Sequence, residues 1–228
     1  MPNPYLTPEL FSFLTELKSN NDRDWFNDNK SRYEQFVKEP LLDLIADFSP
    51  FLAEISPHFK AIPSANGGSL FRIYRDVRFS KNKDPYKTHA AIHFRHSLGK
   101  DAHAPGYYLH VEPGNVFLGM GIWNPASDAL RQVRLAIDSN PDEWEAIINS
   151  AEFSQTYELK GESLKRPPKG FDPEHPCIED LKRKDFMGVA QFDEEVAYRP
   201  DLLPFLSMIW QSGSPFMRFI SKAMDVSF

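Results

Sequence analysis

Apolar residues near the start of the chain recur at three- and four-residue steps: Leu10, Phe13, Leu14 and Leu17. That is the period of one face of an α-helix. Thr7-Pro8-Glu9 precedes them with an N-cap residue, a proline at the first helical position and an acid in the first turn. Ser19-Asn20-Asn21 ends the run. Trp25, Phe26, Tyr33, Phe36 and Val37 mark a second helical stretch. Pro40 opens a third, with Leu41, Leu44, Ile45 and Phe48 inward, running on towards Ile55. The first 60 residues are therefore read as mostly helix.

At Leu70 the period changes. Phe71, Ile73, Val77 and Phe79 alternate with Arg72, Tyr74, Asp76 and Arg78, the pattern of a half-buried strand. A polar loop, Lys81-Asn82-Lys83-Asp84-Pro85, follows. His89 to His96 reads as a second strand with Ala90, Ile92 and Phe94 on one face. Tyr107–Glu112 and Asn115–Gly121 flank Pro113-Gly114, which suits the centre of a type II turn, so this pair reads as a hairpin. Asn124-Pro125 and Asn140-Pro141 each open a helix, reaching Ile137 and Ile148. Residues 160–184 form a loop rich in Pro, Lys and Arg, Phe186–Phe192 a last strand, and Pro200–Val226 a helical end with a break at Ser212-Gly213-Ser214-Pro215. The expected architecture is α+β: a largely antiparallel sheet from the middle of the chain, flanked by N-terminal and C-terminal helices. No linker or repeat divides residues 1–228, so one domain is expected.

Composition places the chain among soluble globular proteins, with 41% hydrophobic and 25% charged residues. No apolar run reaches the roughly 20 residues of a membrane span, and the N-terminus lacks the pattern of a secretory signal. A single cysteine, Cys177, excludes an internal disulfide and fits a reducing compartment. A cytoplasmic location is the expectation. Cys177 has no paired His or second Cys nearby in sequence and is read as a buried structural thiol.

Charge is unevenly spread. Residues 71–100 hold eight Lys/Arg (Arg72, Arg75, Arg78, Lys81, Lys83, Lys87, Arg95, Lys100) against Asp76 and Asp84, so the segment carries +6 while the rest carries −12. As a strand, it sets Arg72, Tyr74, Asp76 and Arg78 on one face, with Asp76 between two guanidinium groups. Planar Arg forks of this kind grip phosphate or carboxylate; the bland alternative is a surface ion-pair ladder of little energetic worth. Arg75 falls on the apolar face and needs either an acid, Glu112 or Glu34 being candidates, or a cavity. The following loop adds Lys81, Lys87 and His89. A second cationic stretch, Lys165, Arg166 and Lys169 among prolines, completes a bowl if it folds over the first.

The histidines raise the question of a metal. His89 and His93 share a strand face but stand about 13 Å apart, and His96 points to the other side, whereas zinc ligands converge to about 2 Å from one ion. No metal is expected on this ground. His89, or His110 on the polar face of the next strand, is instead a candidate acid or base. Gly119-Met120-Gly121 leading to Asn124-Pro125 offers close backbone approach and a helix start for an anion, though its spacing fits neither the dinucleotide nor the phosphate-loop motif.

These residues define a small anionic ligand as the expected partner. Arg72, Arg75, Arg78, Lys81, Lys87, Lys165 and Arg166 would bind it, with Asp76 and His89 handling protons if the protein is an enzyme. No motif names a cofactor, a membrane partner or an oligomeric state. A nucleic-acid module stacking bases on Tyr74, Tyr86 or Trp123 is disfavoured by the overall acidity. An interaction protein whose basic face meets an acidic partner is the third class.

The stretches IYRDVRFSKNKDPYKTH, YYLHVEPGNVFLGMGIW and LKRPPKGFDPEHP, with NNDRDWF at 20–26, resemble the bacterial and fungal family known as domain of unknown function 2461. The resemblance runs from about Leu10 to the last helix. Asn82 departs from the pattern, where an acid is commoner. The resemblance implies no activity, because the family has no established biochemical function.

Overall fold

The computed structural model describes residues 3–98 and 104–228. Lys100 lies outside them. The apolar spacing of the N-terminal region produces α1 (Pro8–Ser19), which buries Leu10, Phe11, Phe13, Leu14 and Leu17. Asp22 caps α2 (Arg23–Asp28), its carboxylate accepting from the Trp25 amide at 2.9 Å. Next, α3 (Lys30–Tyr33) passes through a π-helical turn, Glu34–Lys38, into α4 (Glu39–Ile55). Pro40 therefore does not open a separate helix. Tyr33, Glu34, Lys38 and Glu39, at the two junctions, all have right-handed helical backbone angles. The π turn widens the helix just where the proline ring would otherwise strike the preceding turn.

Among the described residues, six strands form one sheet in the order β1-β2-β3-β4-β6-β5, every neighbouring pair antiparallel. They are β1 (Phe59–Lys60), β2 (Ala90–His96), β3 (Gly106–Glu112), β4 (Asn115–Ile122), β5 (Glu158–Lys160) and β6 (Phe186–Phe192). The β3–β4 hairpin turns at Pro113-Gly114, where Gly114 has φ 72°, as the third residue of a type II turn requires. Period two then sorts the side chains. Ile92, Phe94, Tyr107, Leu109, Val111, Val116, Leu118, Met120 and Phe186 face the core. His93, Arg95, Tyr108, His110, Glu112, Asn115 and Phe117 project from the other face, on which Phe71 stacks against His93.

Helices cover the core face. Between β4 and β6 the chain forms α5 (Ser127–Ser139), α6 (Pro141–Ile148), α7 (Ala151–Ser154) and α8 (Ile178–Leu181); α9 (Leu202–Ser212) and α10 (Ser214–Ala223) follow β6. Trp210 of α9 packs on Phe48, Phe94 and Tyr107. Trp144 of α6 packs on Phe186, Phe216 and Phe219, and its indole N–H donates to Asp180 at 2.8 Å. The buried apolar residues form one hydrophobic cluster from Leu6 to Ile220. Among the described residues no helix is long and apolar enough to cross a membrane.

Two further sequence expectations fail locally. Residues 70–79 do not form a strand; they make only isolated bridges, Leu70 to Ile92 and Tyr74 to Tyr86. The Arg75 amide donates to the Pro85 carbonyl, but Pro85 has no N–H to return the bond, so the ladder stops there. The alternation of burial survives as far as Arg78, which is why the pattern looked like a strand; Phe79 then stands 94% exposed. The helix expected from Asn124-Pro125 instead begins at Ser127, because Asn124 adopts φ 46° and its amide is taken by the Asp185 carboxylate at 2.5 Å.

Candidate functional site

Among the described residues, the cationic segment divides into charges paired with a carboxylate and charges without one. Asp76 accepts from Arg78 Nη2 at 2.7 Å, from its Nε at 3.0 Å and from its backbone amide at 3.2 Å. These contacts, Arg78 side-chain bonds first, hold the Asp76 carboxyl down at about 2. Both residues are exposed, and Arg72 takes no part, so Asp76 does not bridge two guanidiniums as the strand reading required. Arg75 meets neither Glu112 nor Glu34. Its partner is Asp84, with Nη1 3.3 Å from the carbonyl and 3.9 Å from the carboxylate. Asp84 is itself fixed by Asn82, whose side chain accepts from the Asp84 amide at 2.8 Å and donates to its carboxylate at 2.8 Å. Lys81 is exposed in the same loop.

A different set gathers around Phe71. Lys87 Nζ lies 5.1 Å from the ring centroid and donates to the Arg72 carbonyl at 2.9 Å. The Arg95 guanidinium carbon is 5.8 Å from the same ring, and its Nε donates to His93 Nδ1 at 3.3 Å. Burial, and then the charge of Arg72, lower the Lys87 pKa. Among the described residues no carboxylate pairs with Arg72, Lys87 or Arg95. Arg72, Arg95 and Phe71 line a cleft of about 340 Å³ closed on its other side by Asn66, Gly67 and Gly68. Gly67 has φ 73°, and a Cβ on Gly68 would press on the Ser64 and Ile62 carbonyls, so this tight turn needs both glycines. A larger groove of about 730 Å³ lies between α6 and α10, away from every predicted site residue.

On the outer face of the sheet the chain also assembles His89, His110 and Glu112. Antiparallel register pairs Ala90 with Val111 and Ala91 with His110, so His89 enters β2 opposite Glu112. One ligand-capable atom from each lies within 4.8 Å of the others. The His89 and His110 rings are 4.5 Å apart, and Phe117 stacks on His110 at 4.6 Å. His110 Nδ1 is 3.2 Å from the Tyr108 hydroxyl and its Nε2 is 3.5 Å from Glu112. Glu112 also accepts from Thr88 at 3.1 Å and Asn115 at 3.4 Å.

Burial, and then the neighbouring His110, push His89 down to about 4. His110 is lowered by burial. Burial works to raise the Glu112 carboxyl, but bonds from Asn115, His110 and Thr88 together hold it below its usual range. At neutral pH the cluster is two neutral imidazoles and one carboxylate. His93 and His96 do not join it, as the strand geometry required. What one-strand reasoning missed is β3, which supplies the remaining groups. The signal was available: once β2 and β3 are antiparallel neighbours, residue numbers summing to 201 face each other.

Lys165 and Arg166 stand elsewhere. They follow β5, whose Lys160 pairs with Met187 at the far edge of the sheet. Glu162 and Ser163 then pair with Lys184 and Arg183. Lys87 leads into the opposite end of β2, with β3, β4 and β6 between it and β5. Strand spacing of about 4.8 Å puts the two regions roughly 19 Å apart across the sheet, so one cationic bowl does not form. The turn between Gly121 and α5 is closed by an acid of the chain itself, Asp185, which accepts from the Asn124 and Glu162 amides. Cys177 is a buried free thiol, as expected.

The molecule is thus an α+β protein whose antiparallel sheet is packed by helices on one face and carries a histidine–carboxylate cluster on the other. The chain belongs to the family described as conserved hypothetical protein (DUF2461), whose profile matches residues 9–219 of its 228 residues. No curated protein matches it.

Proposed function

We propose that this protein binds a small anion bearing a phosphate or carboxylate group in the cleft beside Phe71, held by Arg72, Arg95 and Lys87. The observation that carries this reading is two cations, Lys87 and Arg95, kept over one aromatic ring, with Arg72 lining the cleft beside it and no carboxylate to offset them among the described residues. Mutual repulsion makes such an arrangement costly unless an anion offsets it. The glycine turn lets backbone come close to a ligand from the other wall. Arg78 and Arg75, paired to Asp76 and Asp84, are left to shape the neighbouring loop.

The nucleic-acid reading loses one of its stacking residues: Tyr86 is buried against Phe26 with ring centroids 4.0 Å apart. The acidic-partner reading keeps one favourable observation, the exposed Phe79 beside Arg78 at the tip of the basic loop.

A melting screen with inorganic phosphate, nucleotides, sugar phosphates and dicarboxylates tests the cleft. A true ligand at 100 times its Kd stabilises by about 2.7 kcal/mol. Arg72→Ala and Arg95→Ala should each weaken it tenfold or more, consistent with roughly 1.5–3 kcal/mol for a bond to a charged group. Arg78→Lys should bind as wild type. If no anion raises the melting temperature, or if Arg95→Ala responds like wild type to every hit, the cleft is not an anion site.

A further inference from the structure

We propose that His89, His110 and Glu112 form a binding site for one divalent first-row transition metal ion, Zn²⁺ or Fe²⁺ being the chemistry that two imidazoles and a carboxylate suit. This goes beyond the anion cleft, does not depend on it, and reverses the sequence expectation that no metal is held. The three ligand atoms already lie within 4.8 Å of one another on adjacent antiparallel strands. A tetrahedral ion with bonds of about 2.0–2.2 Å holds its ligands about 3.4 Å apart, so small side-chain rotations close the cluster. The backbone is set by the sheet, so the ion does not have to organise a loop. Two histidines and one carboxylate leave further positions open for water or a substrate atom.

The surroundings match what metal ligands need. Tyr108 holds His110 through Nδ1 and so presents Nε2 towards Glu112. Thr88 and Asn115 hold the Glu112 carboxylate. Partners of this kind orient ligands and tune their basicity. The His89 ring has no hydrogen-bond partner among the described residues, leaving its nitrogens available. Two cations oppose an ion here. Lys18 Nζ is 4.0 Å from Glu112 but its side chain is mostly exposed and can swing away. Lys87 is tied to the Arg72 carbonyl. Their charge lowers affinity for a bare cation and favours an anion as the remaining metal ligand.

The test uses untagged full-length protein, stripped with chelator and titrated with Co²⁺ and Zn²⁺. Wild type should bind one ion per chain, raise its melting temperature, and show the visible absorption of four- or five-coordinate Co²⁺. His89→Ala, His110→Ala and Glu112→Gln should each weaken Co²⁺ a hundredfold or more. Thr88→Ala, which leaves the ligands in place, should weaken it about tenfold. His93→Gln, on the same strand but outside the cluster, should bind normally. Wild type that takes up no stoichiometric metal at micromolar free ion overturns the proposal without reliance on any variant. So does stoichiometric metal that survives in all three ligand variants.

Discussion

Replacing Gly121 with alanine is expected to cost about 3 kcal/mol or more and to lower the melting temperature by roughly 6–12 °C. Gly121 sits near the end of β4 with φ 116°, a region closed to residues carrying a Cβ. An added Cβ would also run into the Phe186 carbonyl and lie 3.1 Å from the Phe216 ring. The carbonyl is backbone, so it can move only if the β4–β6 pairing opens, and that pairing carries Gly121 opposite Met187. Gly114→Ala is the control. Gly114 also has positive φ, 72°, but nothing lies within 4 Å of a Cβ there. It should lose only about 1–2 kcal/mol, the conformational part. Equal losses in the two variants, measured by urea unfolding, would show that the close approach at Phe186 contributes nothing.

The second large effect is acid sensitivity centred on His93. Burial, then the adjacent Arg95 charge, push its pKa down to about 4. Its ring lies between Phe71 and the Cβ-free surface of Gly106, and its Nδ1 accepts from Arg95. In the unfolded chain a histidine titrates near 6.5, so on acidification the unfolded state takes the proton first. The stability this neutral ring supplies is complete above pH 6.5 and is lost as pH falls towards 4. A shift of this size corresponds to roughly 3 kcal/mol. His96 moves in the same direction, lowered chiefly by burial. His93→Gln keeps an acceptor for Arg95 and removes the titration. Urea midpoints from pH 7 to pH 4, in chelator, should fall less steeply in the variant, by about one proton's worth of slope. Parallel curves would mean that His93 protonates freely in the folded protein.

Much of the fold was legible because its cause is local. Period 3.6 in Leu10, Phe13, Leu14 and Leu17 and the Asn140-Pro141 start each describe a neighbourhood within one turn of helix, and both helices are present. Pro113-Gly114 set the hairpin by its own backbone preferences. The break at Gly213 between the last two helices was equally local. Failures began where a partner mattered. Residues 70–79 alternate like a strand, yet Pro85 cannot complete their ladder. Asn124-Pro125 resembles Asn140-Pro141, but a carboxylate 61 residues away captures the Asn124 amide and delays the helix.

The site divides in the same way. By itself the sequence determined that cations concentrate in one segment, that Asp76 and Asp84 are the only acids within it, and that His89, His93 and His96 cannot converge on one ion. Charge count and strand geometry are properties of the chain alone. Which cations lack a carboxylate among the described residues was decided by the fold: Asp76 took Arg78 and Asp84 took Arg75, while Lys87 and Arg95 met over Phe71 and Arg72 lines the cleft beside it. The fold also separated Lys165 and Arg166 from them across the width of the sheet. Only strand pairing brought His110 and Glu112, more than 20 residues further along, against His89. Register is a long-range quantity, set by which faces of β2 and β3 bury their apolar residues together, and no window of the chain contains both strands and their alignment.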